Sequence, residues 1–248
     1  MKLKSVSPLI ITAIIVLSLW VIATEFIGIQ KIFLPSVQDT FKKLTQLSQT
    51  TGFWLDVGYS FLRVLLGFLL SITISYPLMV LSLYNKRIKE VVFYMVEFFR
   101  YLPIPVFIPL TILWFGVGDY GKIMIVFLGT FAQMIPMYYD SAIAMDSKFD
   151  AFTFGLKWSR FKYITKIIIP GSLPNIIDDS RLCFGWAWTY LIIAELLGAE
   201  NGIGYAIIRA QRYLASDTIF AYIIVIGIIG VITDRLLVFI KNKTFKWL

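Results

Sequence analysis

The sequence has no histidine and a single cysteine, Cys183, in 248 residues. The lack of imidazoles excludes histidine metal sites and histidine general acid–base catalysis. One cysteine cannot form an internal disulfide, so cysteine usage does not indicate the redox compartment. We also find no zinc-ligand spacing, no Gly-x-Ser-x-Gly motif and no paired carboxylates set in a soluble domain. No enzyme class is therefore indicated.

Charge is also scarce. Charged residues make up 15% of the chain, against about a quarter in a typical soluble domain. Hydrophobic residues make up 58%, and the mean hydropathy is +0.80. This composition is typical of a polytopic membrane protein. The net charge of +8 then fits the excess of lysine and arginine in cytoplasmic loops better than it fits nucleic-acid binding.

Long apolar runs are what the chain has instead. Most of them approach or exceed the roughly 20 residues that a membrane-spanning helix needs. The runs cover residues 9–29, 59–84, 91–115, 123–139, 182–197 and 219–240. We predict an all-α fold with six transmembrane helices, the first of them retained rather than cleaved as a signal peptide. Pro103, Pro105 and Pro109 predict a kink or break in the third helix.

Lysine and arginine in the connecting segments predict the orientation. Thirteen fall on the side of the termini and six on the other side. By the positive-inside rule, both termini are cytoplasmic, in a multi-pass protein of the cell (inner) membrane. The segment Asp140–Arg181 is then cytoplasmic, and the glycine-rich turns at Gly116 and Gly202 are outside.

Two short segments allow alternative interpretations. Pro35-Ser36 can open a helix in which Phe41, Leu44 and Leu47 form an apolar face on the membrane, or the segment is a solvated loop. Residues 116–122 begin like a phosphate-binding loop, but position 123 is isoleucine where serine or threonine would hold magnesium. We interpret residues 116–122 as a tight turn.

Ionisable side chains inside the apolar runs are candidates for a transport path, because charge at membrane depth is costly. Arg100 lies three residues after Glu97, Asp234 adjoins Arg235, and Glu195 has no cation nearby in the sequence. The other interpretation, which we favour for the two pairs, is structural pairing or an interfacial location. For Glu195 both interpretations stay open.

Trp186, Trp188 and Tyr190 alternate along the fifth run. In a helix this spacing divides them between faces, so only some can line one surface. We keep Trp188, with Glu195 and Arg100, as candidates for the translocation path.

The segment 140–181 is rich in aromatic residues for a solvated connection. Phe161, Ile164 and Ile168 follow the spacing of one helical face, and Pro170 and Pro174 are expected to end that helix. Such a helix could insert into a groove of a partner protein or lie on lipid headgroups.

The leading hypothesis is a transport subunit; a membrane enzyme or assembly protein is the alternative. A secondary carrier that works alone would normally have two related halves, and a self-powered pump would need its own nucleotide site.

Several pieces in a fixed order carry a resemblance that covers the chain from about residue 33 to its end. They are Phe33-Leu34-Pro35-Ser36, residues 63–68, Pro103-Ile104-Pro105, residues 112–118, Ile169-Pro170 with Leu173-Pro174, residues 181–197, residues 202–205 and Asp234-Arg235-Leu236. With these the chain resembles the permease subunit of type-I, binding-protein-dependent ABC importers. It is most similar to the nitrate, sulfonate, taurine and bicarbonate branch.

The resemblance implies a cytoplasmic coupling helix between helices four and five that docks on the ATPase. The family marks it with Glu-Ala-Ala and a later glycine. Counting back from Ile169-Pro170 places Ala151-Phe152-Thr153 on the triplet, whereas matching Gly155 to the glycine places Phe149-Asp150-Ala151 there. The glutamate is absent in both. The docking candidates are Phe149, Asp150, Ala151, Phe152, Phe154, Gly155, Leu156 and Trp158.

The remaining expectations also follow from the resemblance. Residues 1–56 would hold the first helix and an extracytoplasmic linker, and residues 57–248 the permease core. The chain would dimerise with itself or a second permease, and an ATP-binding subunit and an extracytoplasmic solute-binding protein would join it. It would bind no cofactor, since ATP and magnesium belong to the ATPase. Its solute would be small, with an anion as one possibility.

Overall fold

The protein was described from a computed structural model that covers residues 8–153 and 158–245, with side chains for residues 11–146 and 158–245. Every regular element in these ranges is helical, in agreement with the predicted all-α class. The α-helices are α1 Pro8–Val21, α2 Val37–Ser48, α3 Thr51–Tyr84, α4 Lys86–Tyr101, α5 Ile108–Phe115, α6 Asp119–Thr153, α7 Arg160–Tyr163, α8 Ile169–Gly198, α9 Ile203–Arg212 and α10 Ser216–Thr244.

Three shorter pieces continue these helices. A π-helical turn, Ile22–Phe26, extends α1, and a second one, Ile164–Ile168, joins α7 to α8. A 3₁₀ turn, Ile104–Phe107, leads into α5. The expected stop at Pro170 and Pro174 is therefore wrong. Pro170 directly follows the π-helical turn Ile164–Ile168, a local adjustment of the kind that accommodates proline inside a helix, and the helix runs on through Pro174.

Three helices are long and apolar enough to cross a membrane: α3, α6 and α10. Two pairs of helices, each bent at a short break, are also long and apolar enough to cross when each pair is taken as one span. Lys86–Tyr101 meets Ile104–Phe115 at 92°, and Arg160–Gly198 meets α9 at 50°. The first of these bends confirms the break predicted from the prolines. The described residues thus contain three to five candidate spans, with Ile11–Phe26 as a shorter apolar helix.

The core forms where α3, α6 and α8 cross. Val64, Met134 and Leu191, one from each helix, are completely buried. Ile164 and Ile168 are also buried in this core, so they pack inside the subunit instead of facing a partner. Only Phe161 of the predicted apolar face is exposed, because Arg160–Gly198 is one helical segment whose inner side faces α6.

Small residues let these helices approach closely. A Cβ added to Gly67 of α3 would lie 2.7 Å from the Val126 Cβ of α6. One turn along α3, the Ser71 hydroxyl lies 2.6 Å from that of Thr130 and 3.2 Å from the Phe127 carbonyl oxygen. Helices in lipid associate through this kind of close packing and interhelical hydrogen bonding.

The linker after α1 contains a helix after Pro35-Ser36, the first of the two interpretations that the sequence allowed. The Ser36 hydroxyl caps α2 by accepting a hydrogen bond from the Asp39 N–H at 3.1 Å. Lys31 donates a hydrogen bond to the Asp39 carboxylate at 2.8 Å, which lowers the pKa of that carboxyl. The Trp20 indole donates to the Pro35 carbonyl oxygen at 2.9 Å, so α1 is tied to this linker. Helix α2 packs on α10.

Gly67→Ala is expected to lower the thermal stability of the purified protein in detergent. The added methyl group must displace Val126 or separate α3 from α6, and overpacking of this kind costs about 1–3 kcal/mol. Gly58→Ala in the same helix is the matched control, because its Cβ would meet no atom within 4 Å. Gly58→Ala should leave the melting temperature unchanged or raise it, since alanine is the better helix former. Equal melting temperatures for the two variants would show that the close approach at Gly67 is unimportant.

Candidate functional site

A polar cluster with a buried centre joins four helices near one end of the bundle. We call it the arginine cluster and define it by Asp56, Ser60, Arg63, Asp119, Glu195 and Asn201. At its centre, Arg63 Nη1 lies 2.6 Å from Glu195 Oε1, with both side chains almost completely buried. Arg63 Nε donates to Asp119 Oδ1 at 2.8 Å, and Nη1 donates to the Asn201 carbonyl oxygen at 3.0 Å. One guanidinium therefore links α3 to α6, to α8 and to the turn before α9.

Glu195 is satisfied by neutral donors as well. The Ser60 hydroxyl lies 2.8 Å from both of its oxygens, and the Gly204 N–H donates to Oε2 at 2.8 Å. A buried carboxylate is tolerated only with such partners, because an unpaired ion loses its hydration without compensation. Glu195 is therefore held as the charged partner of Arg63.

The turn before α9 fits around this carboxylate. Gly202 has φ +108°, and a Cβ on it would lie 2.4 Å from Glu195 Oε1. The Gly202 N–H donates to Asp56 at 2.9 Å, and the Ile203 N–H donates to Ser60 at 2.8 Å. Side chains of α3 and α8 thus accept the free amides at the start of α9. Gly202 lies in a turn, as predicted, whereas Gly204 already belongs to the first turn of α9, and at both positions a Cβ would collide with Glu195.

Sequence reasoning identified Glu195 but missed its partners Ser60 and Arg63. The signal was present, because a lone arginine inside an apolar run needs a buried anion. The 132 residues between Arg63 and Glu195 gave no means to pair them. The role of Glu195 in a path stays a prediction.

The glycine-rich turn before α6 is closed by Lys122. Its amine donates to the carbonyl oxygens of Val117 at 2.8 Å and Gly118 at 3.3 Å, and Gly116 has φ +76°. The lysine therefore stabilises the turn itself. This geometry agrees with a tight turn in preference to a phosphate-binding loop.

Arg100 lies at the break between α4 and α5. Its side chain is exposed, and within the described ranges it makes no ion pair and no hydrogen bond, so the structural pairing that was one favoured interpretation is not observed there. The other, an interfacial location, stays a prediction. Arg100 lines a cavity of about 260 Å³ together with Gln133 of α6 and Tyr190 of α8. Arg100 is thus a cation with access to an open space.

The aromatic residues of α8 divide as their spacing predicted. Trp188 is buried in the core, and Trp186 is 40% exposed. Tyr190 is half-buried and packs on Gly129, where a Cβ would lie 2.2 Å from its ring. Among the described residues, the indole N–H of Trp188 is the one buried side-chain polar atom without a hydrogen-bond partner. Trp188 therefore does not line the cavity at Arg100.

A second ionic group lies toward the other end of α8. Arg181 donates to both oxygens of Asp234 in α10, at 2.8 and 3.1 Å, and to Asp178 at 2.9 Å. Lys241 also pairs with Asp178. Asp234 is thus paired across helices, as favoured, but with Arg181 instead of its neighbour Arg235. These contacts bind α8 to α10.

The predicted docking region lies between α6 and α7. Phe154, Gly155 and Leu156 fall outside the described residues, and residues 149–153 belong to the end of α6. Trp158 is 37% exposed, with the Lys162 amine 4.5 Å above its ring. Behind it, Arg160 donates to the Leu83 carbonyl oxygen at 3.3 Å, and Phe161 stacks on Tyr84. Trp158 is therefore presented from a segment anchored to the end of α3.

Comparison with known proteins gives consistent relatives. A family model described as "Binding-protein-dependent transport system inner membrane component" matches residues 67–246. A Bacillus subtilis protein named as an aliphatic sulfonates transport permease, SsuC, is 31% identical over 208 residues, covering 84% of this chain and 74% of that protein. The taurine transport system permease protein TauC of Escherichia coli K12 is 26% identical over 241 residues, covering 95% and 88%.

Among solved structures, one from the MetNI methionine ABC transporter in an inward-facing conformation superposes with a TM-score of 0.63. Its sequence identity is 17%, and the match covers 78% of this chain and 95% of that chain. At this identity the similarity establishes the fold alone. The residues that it matches therefore take no role from that protein.

Arg63→Met is expected to destabilise the protein by about 3–5 kcal/mol, because it leaves Glu195 charged, buried and without its cation. Glu195→Gln in the same background should recover part of that loss, so the double variant should cost less than the two single changes summed. The measurement is a double-mutant cycle of denaturant unfolding in detergent. Lys31→Met removes an exposed pair and should be nearly neutral. Additive losses in the cycle would contradict a coupled Arg63–Glu195 pair.

Proposed function

Because the chain belongs to the family of inner-membrane components of binding-protein-dependent transport systems, we propose that it forms the path of a small anionic solute through the cell membrane. The family match over residues 67–246 carries this conclusion. The chain is a multi-pass membrane protein and the permease subunit of an ABC importer. It is not the catalytic subunit, since ATP hydrolysis in this family belongs to a separate protein. The alternative of a membrane enzyme or assembly protein is thereby set aside.

Six spans are the topology that we propose. The three long helices, the two bent pairs and the apolar stretch Ile11–Phe26 make six crossings. The excess of lysine and arginine on the side of the termini supports cytoplasmic ends in the inner membrane. Residues 1–56 would then contain the first span and an outer linker, and residues 57–248 the permease core. The arginine cluster would lie at the outer end of the bundle.

The coupling region proposed is Phe149–Trp158. It follows a helix that spans and precedes another, so force applied there acts on α6 and α8 together. The exposed Trp158 and its anchored base support contact with an ATPase subunit. Closure of an ATPase pair on binding ATP and magnesium would then change the packing of α6 and α8 and alternate the access of the path.

Three residues remain candidates for the path: Arg100, Trp188 and Glu195. Arg100 lines an open cavity in the structure described here. Trp188 and Glu195 are buried, so they reach a solute only if α8 moves relative to α3. Arg100 is therefore the candidate that needs the smallest rearrangement.

The proposed assembly contains two permease chains, an ATPase pair and an extracytoplasmic binding protein. Exposed aromatic residues near the break, including Tyr94 and Tyr101, would be covered by the second permease or by lipid. Relatives named for sulfonates and taurine support a small solute that carries a sulfonate group. Another relative, from Halalkalibacterium halodurans, is named as a formylaminopyrimidine transport permease, so the relatives name more than one class of solute.

The permease purified alone is expected to hydrolyse no ATP. Proteoliposomes that contain the permease, its ATPase and its binding protein should accumulate radiolabelled taurine or ethanesulfonate only when ATP is supplied on the ATPase side. Phosphate release and uptake are the two measurements. ATP turnover by the isolated permease would contradict the assignment. A complete assembly that transports no solute carried by its binding protein would also do so.

Phe154→Asp and Trp158→Asp are expected to leave the permease inserted in the membrane but to abolish uptake and reduce co-purification of the ATPase. A carboxylate at either position would have to lose its hydration when the proposed contact with the ATPase forms, and that cost opposes docking. Tyr213→Asp is the control, because Tyr213 is an exposed aromatic residue that lies far along the chain, in the connection between α9 and α10. Normal uptake and normal ATPase recovery for both variants would refute the coupling region.

A further inference from the structure

The cavity at the break between α4 and α5, here called the break cavity, has no assigned role. Its volume of about 260 Å³ is slightly below the roughly 300 Å³ at which pockets for drug-sized ligands begin, so it suits a solute of few heavy atoms. Its lining comes from three parts of the bundle. These are the bend (Phe99, Arg100, Leu102, Pro103, Ile104 and Pro105), α6 (Gly129, Ala132 and Gln133) and α8 (Tyr190).

Among the described residues that line the cavity, Arg100 is the only charged one. Within the described ranges no carboxylate lies within 4.0 Å of its guanidinium, whereas the buried Arg63 has two such carboxylates. Glu97, one turn earlier on α4, is exposed and makes no ion pair there. The break cavity therefore has a net positive charge that the described protein does not neutralise.

The polar groups opposite Arg100 are unused as well. Neither the Gln133 amide nor the Tyr190 hydroxyl has a hydrogen-bond partner among the described residues, although both side chains are partly buried. By contrast, the hydroxyls of Ser71 and Thr130 in the nearby α3–α6 contact bond to each other and to carbonyl oxygens. Free donors around a cavity are the arrangement expected of a ligand site.

The location agrees with a site on a path. Arg100 lies about midway along the bent segment from Lys86 to Phe115, which passes as one broken span. Ionisable side chains at such a depth are costly and usually serve a function. Broken helices near the membrane midplane are also where transporters commonly place their solutes.

We propose that the break cavity is an oxyanion subsite, in which the Arg100 guanidinium binds the sulfonate or carboxylate group of the solute in transit. The guanidinium presents parallel N–H donors that match two oxygens of such a group. Gln133 and Tyr190 would donate to the remaining oxygens, and the apolar lining would contact a short carbon chain. This inference rests on the proposed transport function and specifies which part of the solute is recognised.

The test uses the permease–ATPase complex in phosphatidylcholine nanodiscs, without the binding protein. Ethanesulfonate is titrated, and the half-saturating concentration is obtained from the rise in melting temperature, since a ligand of the folded state stabilises it by mass action. Ethanesulfonamide, its neutral counterpart, is titrated in parallel. The sulfonate should raise the melting temperature of the wild-type complex, and the sulfonamide should not.

Arg100→Gln is expected to weaken the response to ethanesulfonate by about tenfold or more, because the charge-assisted bonds are lost. Arg87→Gln is the matched control, since Arg87 is an exposed arginine in the first turn of the same helix that pairs with no acid in the described part of the chain. Gln133→Glu, which is nearly isosteric, should also abolish the response by placing a carboxylate in the cavity. It provides a second test if Arg100→Gln yields no complex.

Equal half-saturating concentrations for wild type and Arg100→Gln would overturn the subsite, as would equal responses to the sulfonate and the sulfonamide. A response to added phosphatidylglycerol but not to ethanesulfonate, lost in Arg100→Gln, would show that a lipid headgroup occupies the cavity and would also overturn it. If the wild-type assembly still accumulates solute in the proteoliposome assay, any of these results leaves the proposed transport function unaffected. Loss of that uptake in the wild type would reject the transport function instead.

Discussion

The contact between Arg63 and Glu195 is the constraint on which one end of the bundle depends. The two opposite charges lie 2.6 Å apart and are both shielded from solvent, so they lose their hydration. Their mutual attraction and hydrogen bonds from neighbouring groups must compensate for that loss. Asp119, Asn201 and Ser60 supply the remaining bonds. Since these partners come from α3, α6, α8 and the turn before α9, no one of these helices can shift at this end without exposing an unpaired ion.

The other end of α8 is held differently. Arg181, Asp178 and Asp234 form partly exposed pairs, which water screens and which therefore hold the helices less firmly. Between the two ionic groups, α3 and α6 meet through Gly67 and Ser71, where small side chains allow close packing. The bundle thus combines a tightly bound end, a closely packed middle and an end that can adjust. This order of rigidity suits a protein that changes its packing when a partner acts on one side.

The break between α4 and α5 stands apart from this scaffold. Pro103 and Pro105 prevent a continuous helix, and the two pieces meet at 92°. At the bend, Arg100 has no carboxylate partner among the described residues, and a cavity opens against α6 and α8. The same type of side chain therefore serves two purposes in one chain. Arg63 is neutralised and holds the fold together, whereas Arg100 is left free beside an open space.

The amino-acid sequence was enough to predict the helical membrane class, the break at the prolines and the transport family, and it offered the helix capped by Ser36 as one of two interpretations. Each of these follows from local chemistry or from motif order, which the chain displays directly. Tertiary structure alone decided that Glu195 pairs with Arg63, that Asp234 pairs with Arg181 and that Arg100 pairs with neither Glu97 nor any other described acid. It also decided that Ile164 and Ile168 lie in the core and that the helix continues through Pro174. The reason is physical: an ion's partner and a helix's buried face depend on which distant segments pack beside them, and spacing along the chain does not contain that information.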